Sequence, residues 1–596
     1  MVDRFILAAC VFCTALLFGS SPAAFGQQET TAAELHQLFA DEWDRRLQRD
    51  PLFASSRGVT EFNDRLPDVT AAAQRSALDE DLQFLERLET IDRAALSPDD
   101  RTNYDLFEFV VGHQANLARY RPYRMPFTSD SGFHTRVQRM YESMPFRTVE
   151  DYETYLTRLS AVGPYFEQNI VNMRDGLADG FTQPGVILSG IVPSISGAIV
   201  DSPEDSVFFT PLVGMPEHIG ADDAGRLRSQ ASAAIADTVI PAYREFLQFF
   251  TEEYIPGARE SLGASSLENG RAYYEDLTRF FTSRDDAHPD EIHELGLREV
   301  ARIRAEMEEI IEQVEFNGTF AEFIEFLRTD PQFYVDDPEQ LLKEASWIAK
   351  KVDARMPAFF RTLPRMPYGV MAVPDDLAPN YTTGRYWSAP VGGRRGGYYM
   401  VNTYALDKRP LYALPALTVH EGVPGHHHQI SLAQELGQLP EFRRTFYPHA
   451  FGEGWGLYSE KLAIEMDIYE TPYDNFGRLS YEMWRAVRLV VDTGMHYMGW
   501  SRDEALEYLA DNTALSLQNV RTEIDRYISW PGQALAYKMG ELKFLELRAR
   551  ATEELGEDFD IRDFHDAVLI NGGLPLDMLD GAVDRYIDSV RTGSVP

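Results

Sequence analysis

The stretch Thr418-Val419-His420-Glu421-Gly422-Val423-Pro424-Gly425-His426-His427-His428-Gln429 decides how the rest of this chain is read. The sequence holds 13 histidines in 596 residues, and four of them fall between positions 420 and 428. His420-Glu421 opens like the helix motif of zinc proteases. There, two histidines one turn apart bind one Zn²⁺ and the intervening glutamate is the general base. Position 424 is proline, so the second histidine must come later. On an ideal helix, residue i+6 is turned by about 240° from residue i, and i+7 is in phase but roughly 10 Å further along. A bulge at Pro424 and Gly425 is therefore expected to return His426 toward His420, with His427 as the alternative. The ordinary competing reading is a His-rich surface loop.

A second stretch, Phe451-Gly452-Glu453-Gly454-Trp455-Gly456-Leu457-Tyr458-Ser459-Glu460, places Glu453 and Glu460 on one helical face. The apolar neighbours of Glu453 imply burial, and a buried carboxylate needs a cation or a hydrogen-bond partner. Two histidines and Glu453 on two helices would make an open three-ligand zinc site.

Together these two stretches, HExxPGHHxQ and EGWxLYxE, resemble the bacterial DUF885 family of predicted zinc metallopeptidases. Residues 481–496, 526–538 and 559–565 fit the same pattern, which is strongest over about 381–576. The Glu453 segment is also similar to that of a zinc aminopeptidase family, where the first glutamate binds the metal. The resemblance implies a mainly α, two-lobed zincin-like fold with a small β-sheet beside the active-site helix. It implies one Zn²⁺ per chain, held by His420, His426 (or His427) and Glu453, with Glu421 as general base on a peptide substrate. His496 and Tyr537 are the candidate oxyanion donors. Arg485, Arg488 and Lys538 are candidates for binding a substrate carboxylate; internal ion pairs with Glu482, Asp492 or Glu523 are the competing reading. A strand at Gly397–Tyr404, carrying Tyr399, could pair with an extended peptide. The same zinc chemistry would serve a non-peptide amide or ester, and a non-catalytic binding protein is a third reading.

Outward from these motifs the chain reads as helix. Apolar residues recur at helical spacing over 31–49, 71–91, 149–177, 222–253 and 289–314. Loops are expected at 180–205 and 257–270. A stretch rich in Pro, Gly and Tyr at 366–409 marks the junction between a helical N-terminal lobe (27–365) and a zinc-binding catalytic lobe (366–596).

The N-terminus has Arg4, an apolar run over 5–18 and small residues at 24–26, as in a signal peptide (1–26) cleaved near Gly26. The expected location is periplasmic or secreted. Leu7-Ala8-Ala9-Cys10 is a lesser alternative, a lipoprotein box. Both cysteines, Cys10 and Cys13, lie in that segment, so the mature chain has no thiolate ligand and no disulfide. No later apolar run could span a bilayer. The net charge of −38 argues against nucleic-acid partners. Oligomeric state is not legible.

Overall fold

The computed structural model describes residues 22–375, 377–389 and 395–593. Residues 1–21, with both cysteines and most of the expected signal peptide (1–26), lie outside the described residues, and 22–26 open the helix Pro22–Arg49. The fold is mainly α with one small sheet.

Helices form where the spacing places them. The 289–314 segment becomes one helix, Pro289–Gln313, opened by a proline at its first position and buried along Ile292, Val300, Ile303, Met307 and Ile310. The 149–177 segment divides into Val149–Ser160 and Val162–Asp179. Thr148 and Asp151 form a reciprocal cap at the first of these. The 222–253 segment is interrupted by π-turns at Ile235–Val239 and Phe250–Tyr254. Short helices Gly185–Leu188 and Val192–Ser196 break up the loop expected at 180–205.

One apolar core runs from Leu35 to Ile587 and crosses the 365/366 junction. Phe39 meets Phe442 at 4.8 Å between ring centroids, and Phe333 meets Tyr412 at 5.3 Å. Six helices frame the site: α1 (Leu414–Glu421), α2 (His426–Glu435), α3 (His449–Leu462), α4 (Pro472–Thr493), α5 (Leu517–Ser529) and α6 (Ala536–Leu555). Pro289–Gln313 packs along α4, and α3 packs along α6.

The sheet has strands β1 (Tyr368–Ala372), β2 (Gly384–Trp387) and β3 (Gly397–Val401), in the order β1-β3-β2. β1 runs parallel to β3, and β2 antiparallel to it. The strand expected at 397–404 is therefore the central one. Both of its edges are taken, so β3 cannot receive an extended peptide. The outer strands are β1 and β2, and β2 carries Tyr386 opposite Tyr399.

Candidate metal centre

The His-rich stretch does not form one bulged helix. α1 ends at Glu421, a turn covers Gly422–Gly425, and α2 begins at His426. The turn is closed by Gly425 N–H on Val419 O at 3.0 Å. The indole of Trp455 on α3 donates to Pro424 O at 2.7 Å. The break re-aims α2, and with it the first of the three adjacent histidines.

His420 and His426 face each other edge to face, with ring centroids 4.6 Å apart. Glu453 Oε2 lies 3.7 Å from His420 Nε2 and 3.3 Å from His426 Nε2. Ligands about 2.0–2.1 Å from a tetrahedral Zn²⁺ stand about 3.3 Å from one another, so these spacings match a shared cation. Glu421 joins the cluster, since His420, Glu421 and His426 offer ligand atoms within 4.8 Å of one another. Its Oε2 accepts the backbone N–H of Tyr386 at 2.6 Å. The outer edge of β2 thus lies directly against Glu421.

Second contacts set the tautomers. His420 Nδ1 meets Glu460 Oε1 at 2.7 Å, which assigns the proton to Nδ1 and leaves the lone pair of Nε2 facing the cluster. His426 Nδ1 lies 2.8 Å from the Gln429 amide nitrogen, while Gln429 Oε1 is buried without a partner. The same amide nitrogen donates to Gly452 O at 3.0 Å, so Nδ1 accepts from it and the His426 proton sits on Nε2, facing Glu453, where a cation would replace it.

The electrostatics call for positive charge at the cluster. Burial alone would lower the His420 pKa, but its hydrogen bonds to Glu453 and Glu460 outweigh this and raise it to about 10. Burial pushes the Glu453 carboxyl up, yet His426 and His420 hold it well below the usual range. Three carboxylates around two imidazoles demand positive charge, which either protons or a metal can supply. The donor set, two neutral nitrogens and one carboxylate in a site without thiolates, fits Zn²⁺.

The glycines of the Glu453 motif allow this approach. A Cβ on Gly456 would lie 2.7–2.9 Å from ring atoms of His420. One on Gly452 would lie 2.0–2.4 Å from Tyr447, whose ring occupies that notch. Gly454 faces Gly540, bringing α3 and α6 into backbone contact.

His427 takes no part in this cluster. Its Nδ1 meets Tyr386 Oη at 3.0 Å and Ser431 Oγ at 3.2 Å, and burial lowers its pKa to about 4. The His428 ring packs on Phe360 with centroids 4.7 Å apart.

Several other expected site residues have structural duties. His496 accepts the Ala264 N–H at Nδ1 (3.1 Å) and donates to Tyr527 O at Nε2 (2.9 Å), so neither nitrogen is left for an oxyanion. Burial lowers its pKa to about 4. Lys538 is fully buried, bonded to Glu482 (2.8 Å) and Glu541 (2.6 Å), with Glu299 at 3.2 Å. It is an ion-network residue, not a substrate contact. Tyr399 is fully buried, its hydroxyl 3.4 Å from Thr418 Oγ1.

Arg485 and Arg488 lie nearer the cluster. Arg485 stacks on Trp484 (4.2 Å) and Tyr481 (4.7 Å), and its Nη2 is 3.8 Å from Glu460. Arg488 donates to Tyr527 Oη (2.7 Å) and Glu523 (3.1 Å) and lies 4.1 Å over the Tyr537 ring.

Two residues were not legible in the sequence. Tyr447 lies within electrostatic reach of Glu453, Glu421 and Tyr537; burial, reinforced by those neighbours and opposed by a hydrogen bond with the Gln429 side chain, raises its pKa well above the usual tyrosine value, so its hydroxyl keeps its proton. Arg385, on the outer strand β2, is exposed, and its guanidinium lies 5.4 Å over Tyr381. The notch at Gly452 is the one local signal that could have pointed to Tyr447.

With this geometry in place, comparison with known proteins defines the class. Residues 51–583 match the DUF885 family, described as bacterial protein of unknown function, and the chain belongs to that family. Membership therefore carries no activity with it. A solved structure from Colwellia psychrerythraea, described as a "putative lipoprotein", is 29% identical. It superposes with a TM-score of 0.87, covering 94% of this chain and 99% of that one. Another, from Shewanella oneidensis, described as a "putative lipoprotein of unknown function", shares the fold at 16% identity and a TM-score of 0.71, with the same coverages. No curated protein matches this chain. Among the described residues, no helix is long and apolar enough to cross a membrane.

Proposed function

We propose that this chain is an exported zinc-dependent metallopeptidase acting on oligopeptides. The observation that carries the reading is the spacing of Glu453 Oε2 from His420 Nε2 and His426 Nε2, with Glu421 beside them. One Zn²⁺ per chain, held by His420, His426 and Glu453, would supply a Lewis acid for the scissile carbonyl and acidify water.

The chain's own residues do the rest. Glu421 takes the proton of the attacking water and passes it to the leaving amine. The Tyr386 N–H orients that carboxylate. Tyr447 donates from its hydroxyl to the developing oxyanion, in place of His496. Glu460 holds His420 in one tautomer. The outer edge of β2, beyond the Tyr386 N–H that Glu421 holds, aligns an extended main chain beside Glu421.

The lipoprotein description of both relatives supports an envelope location, and Leu7-Ala8-Ala9-Cys10 offers a site for the anchor. Labelling with a fatty-acid probe tests this: Cys10→Ser should abolish labelling if the box is used.

The deciding experiment is digestion of a peptide library by metal-loaded protein, read by mass spectrometry. Cleavage that is lost in Glu421→Gln while metal stays bound supports the reading. A fully loaded protein that cleaves no peptide overturns it and leaves a non-peptide amide or ester.

A further inference from the structure

Beside the metal centre the protein gathers arginines that its own carboxylates do not neutralise. Arg485, Arg488 and Arg526 are 5%, 3% and 9% exposed. Each has a buried guanidinium nitrogen without a partner: Nε of Arg485, Nη1 of Arg488 and Nε of Arg526. Glu523 is shared between Arg488 at 3.1 Å and Arg526 at 3.5 Å. Glu460 is committed to His420 and stands 3.8 Å from Arg485. Asp492 is also near, but burial raises its pKa to about 7 against its bonds from Tyr274 and Gly532. Arg385 adds a fourth guanidinium, with no hydrogen bond or ion pair among the described residues; exposed Asp130 lies within its electrostatic reach.

Two of the four lie over or beside Tyr537. Arg488 lies 4.1 Å and Arg485 5.9 Å from its ring centroid, and Arg385 and Arg526 are within electrostatic reach of it. The Tyr537 hydroxyl makes no hydrogen bond among the described residues. Tyr537 in turn neighbours Tyr447, which reaches Glu421 and Glu453. In a chain of net charge −38, buried and half-satisfied guanidinium groups are costly unless an anion completes them.

We propose that Arg385, Arg488, Arg526 and Tyr537 form an anion subsite that receives the free C-terminal carboxylate of the substrate, which makes this protein an exopeptidase working from the C-terminus. This rests on the peptidase reading. A carboxylate suits the site because guanidinium forks bind it bidentately and a tyrosine hydroxyl can donate a third bond. Arg385 also sits one residue before Tyr386 on the edge strand that faces Glu421. A main chain aligned along that edge would end among these cations.

The test uses zinc-loaded protein and one alanine-rich pentapeptide as its free acid and as its C-terminal amide. The acid is expected to show a kcat/KM at least 100-fold above that of the amide. Arg385→Gln, an exposed position, should collapse that ratio about tenfold. Equal cleavage of acid and amide overturns the subsite while leaving the peptidase reading intact.

Calorimetry with an N-acetylated dialanine acid and its amide separates the two ideas. If neither pentapeptide is cleaved but the acid binds at least tenfold more tightly and Arg385→Gln removes the preference, the subsite stands and the peptidase reading falls. Equal or absent binding with no cleavage overturns the subsite. Inorganic phosphate displacing the acid at lower concentration than acetate overturns the carboxylate assignment in favour of a phosphate-bearing ligand.

Discussion

His420 Nδ1–H donates to Glu460 Oε1 across 2.7 Å, and that hydrogen bond decides which nitrogen faces the cation site. Glu460 is almost fully buried, and its other oxygen has no partner. The carboxylate therefore spends its charge on the imidazole. Glu460→Gln can present an amide N–H to Nδ1 and favour the wrong tautomer. Zinc affinity should fall by about 10–100-fold. Competition with a chromophoric chelator measures it; an unchanged affinity contradicts the role of Glu460.

The three adjacent histidines should separate cleanly. His426→Ala should remove bound zinc, because its Nε2 faces Glu453. His427→Ala should keep one zinc per chain, because its ring serves Tyr386 and Ser431. The cost there is stability, about 1–3 kcal/mol for the buried groups left unpaired. Metal analysis paired with thermal unfolding distinguishes the two. Zinc retained by His426→Ala and lost by His427→Ala would reverse the assignment.

Gly456→Ala tests the approach of α1 to α3. The new methyl would stand 2.7–2.9 Å from the His420 ring, so the ring must shift. Overpacking of this kind costs about 1–3 kcal/mol, and the displaced ligand should weaken zinc binding as well. A protein that loses stability yet keeps wild-type zinc affinity would show that the ring position is not what the glycine protects.

How much of this was readable beforehand follows from how local each interaction is. His420, Glu421 and Glu453 declare themselves because ligand, base and buried carboxylate lie within two short helices. The choice of His426 over His427 was not legible, because it depends on where α1 stops and how α2 is re-aimed. That outcome is set partly by Trp455, more than thirty residues downstream. β1 and β2 escaped notice because each is short and flanked by proline or glycine, so neither shows a sustained alternation. His496 and Lys538 looked functional for the opposite reason. A polar residue in an apolar run signals burial with a partner, and the partners here, Tyr527 O and Glu482, come from distant segments.

Asp492 supplies a pH signature independent of metal. It is fully buried, accepting the Tyr274 hydroxyl at 2.6 Å and the Gly532 N–H at 3.0 Å. Burial raises its pKa to about 7 from a model-peptide value of about 3.9. The native state therefore holds a proton that the unfolded chain releases. The stabilisation is fully present below about pH 4 and is lost as the pH rises through about 7. Its full size is on the order of 4 kcal/mol. Asp492→Asn keeps an oxygen for both donors and cannot ionise. The variant should therefore lose this part of the pH dependence and gain stability over wild type above pH 7. Denaturant unfolding of metal-free protein at pH 5, 6, 7 and 8 measures the difference. Parallel curves for the two proteins would mean that Asp492 is ionised throughout, and that its bonds to Tyr274 and Gly532 outweigh burial.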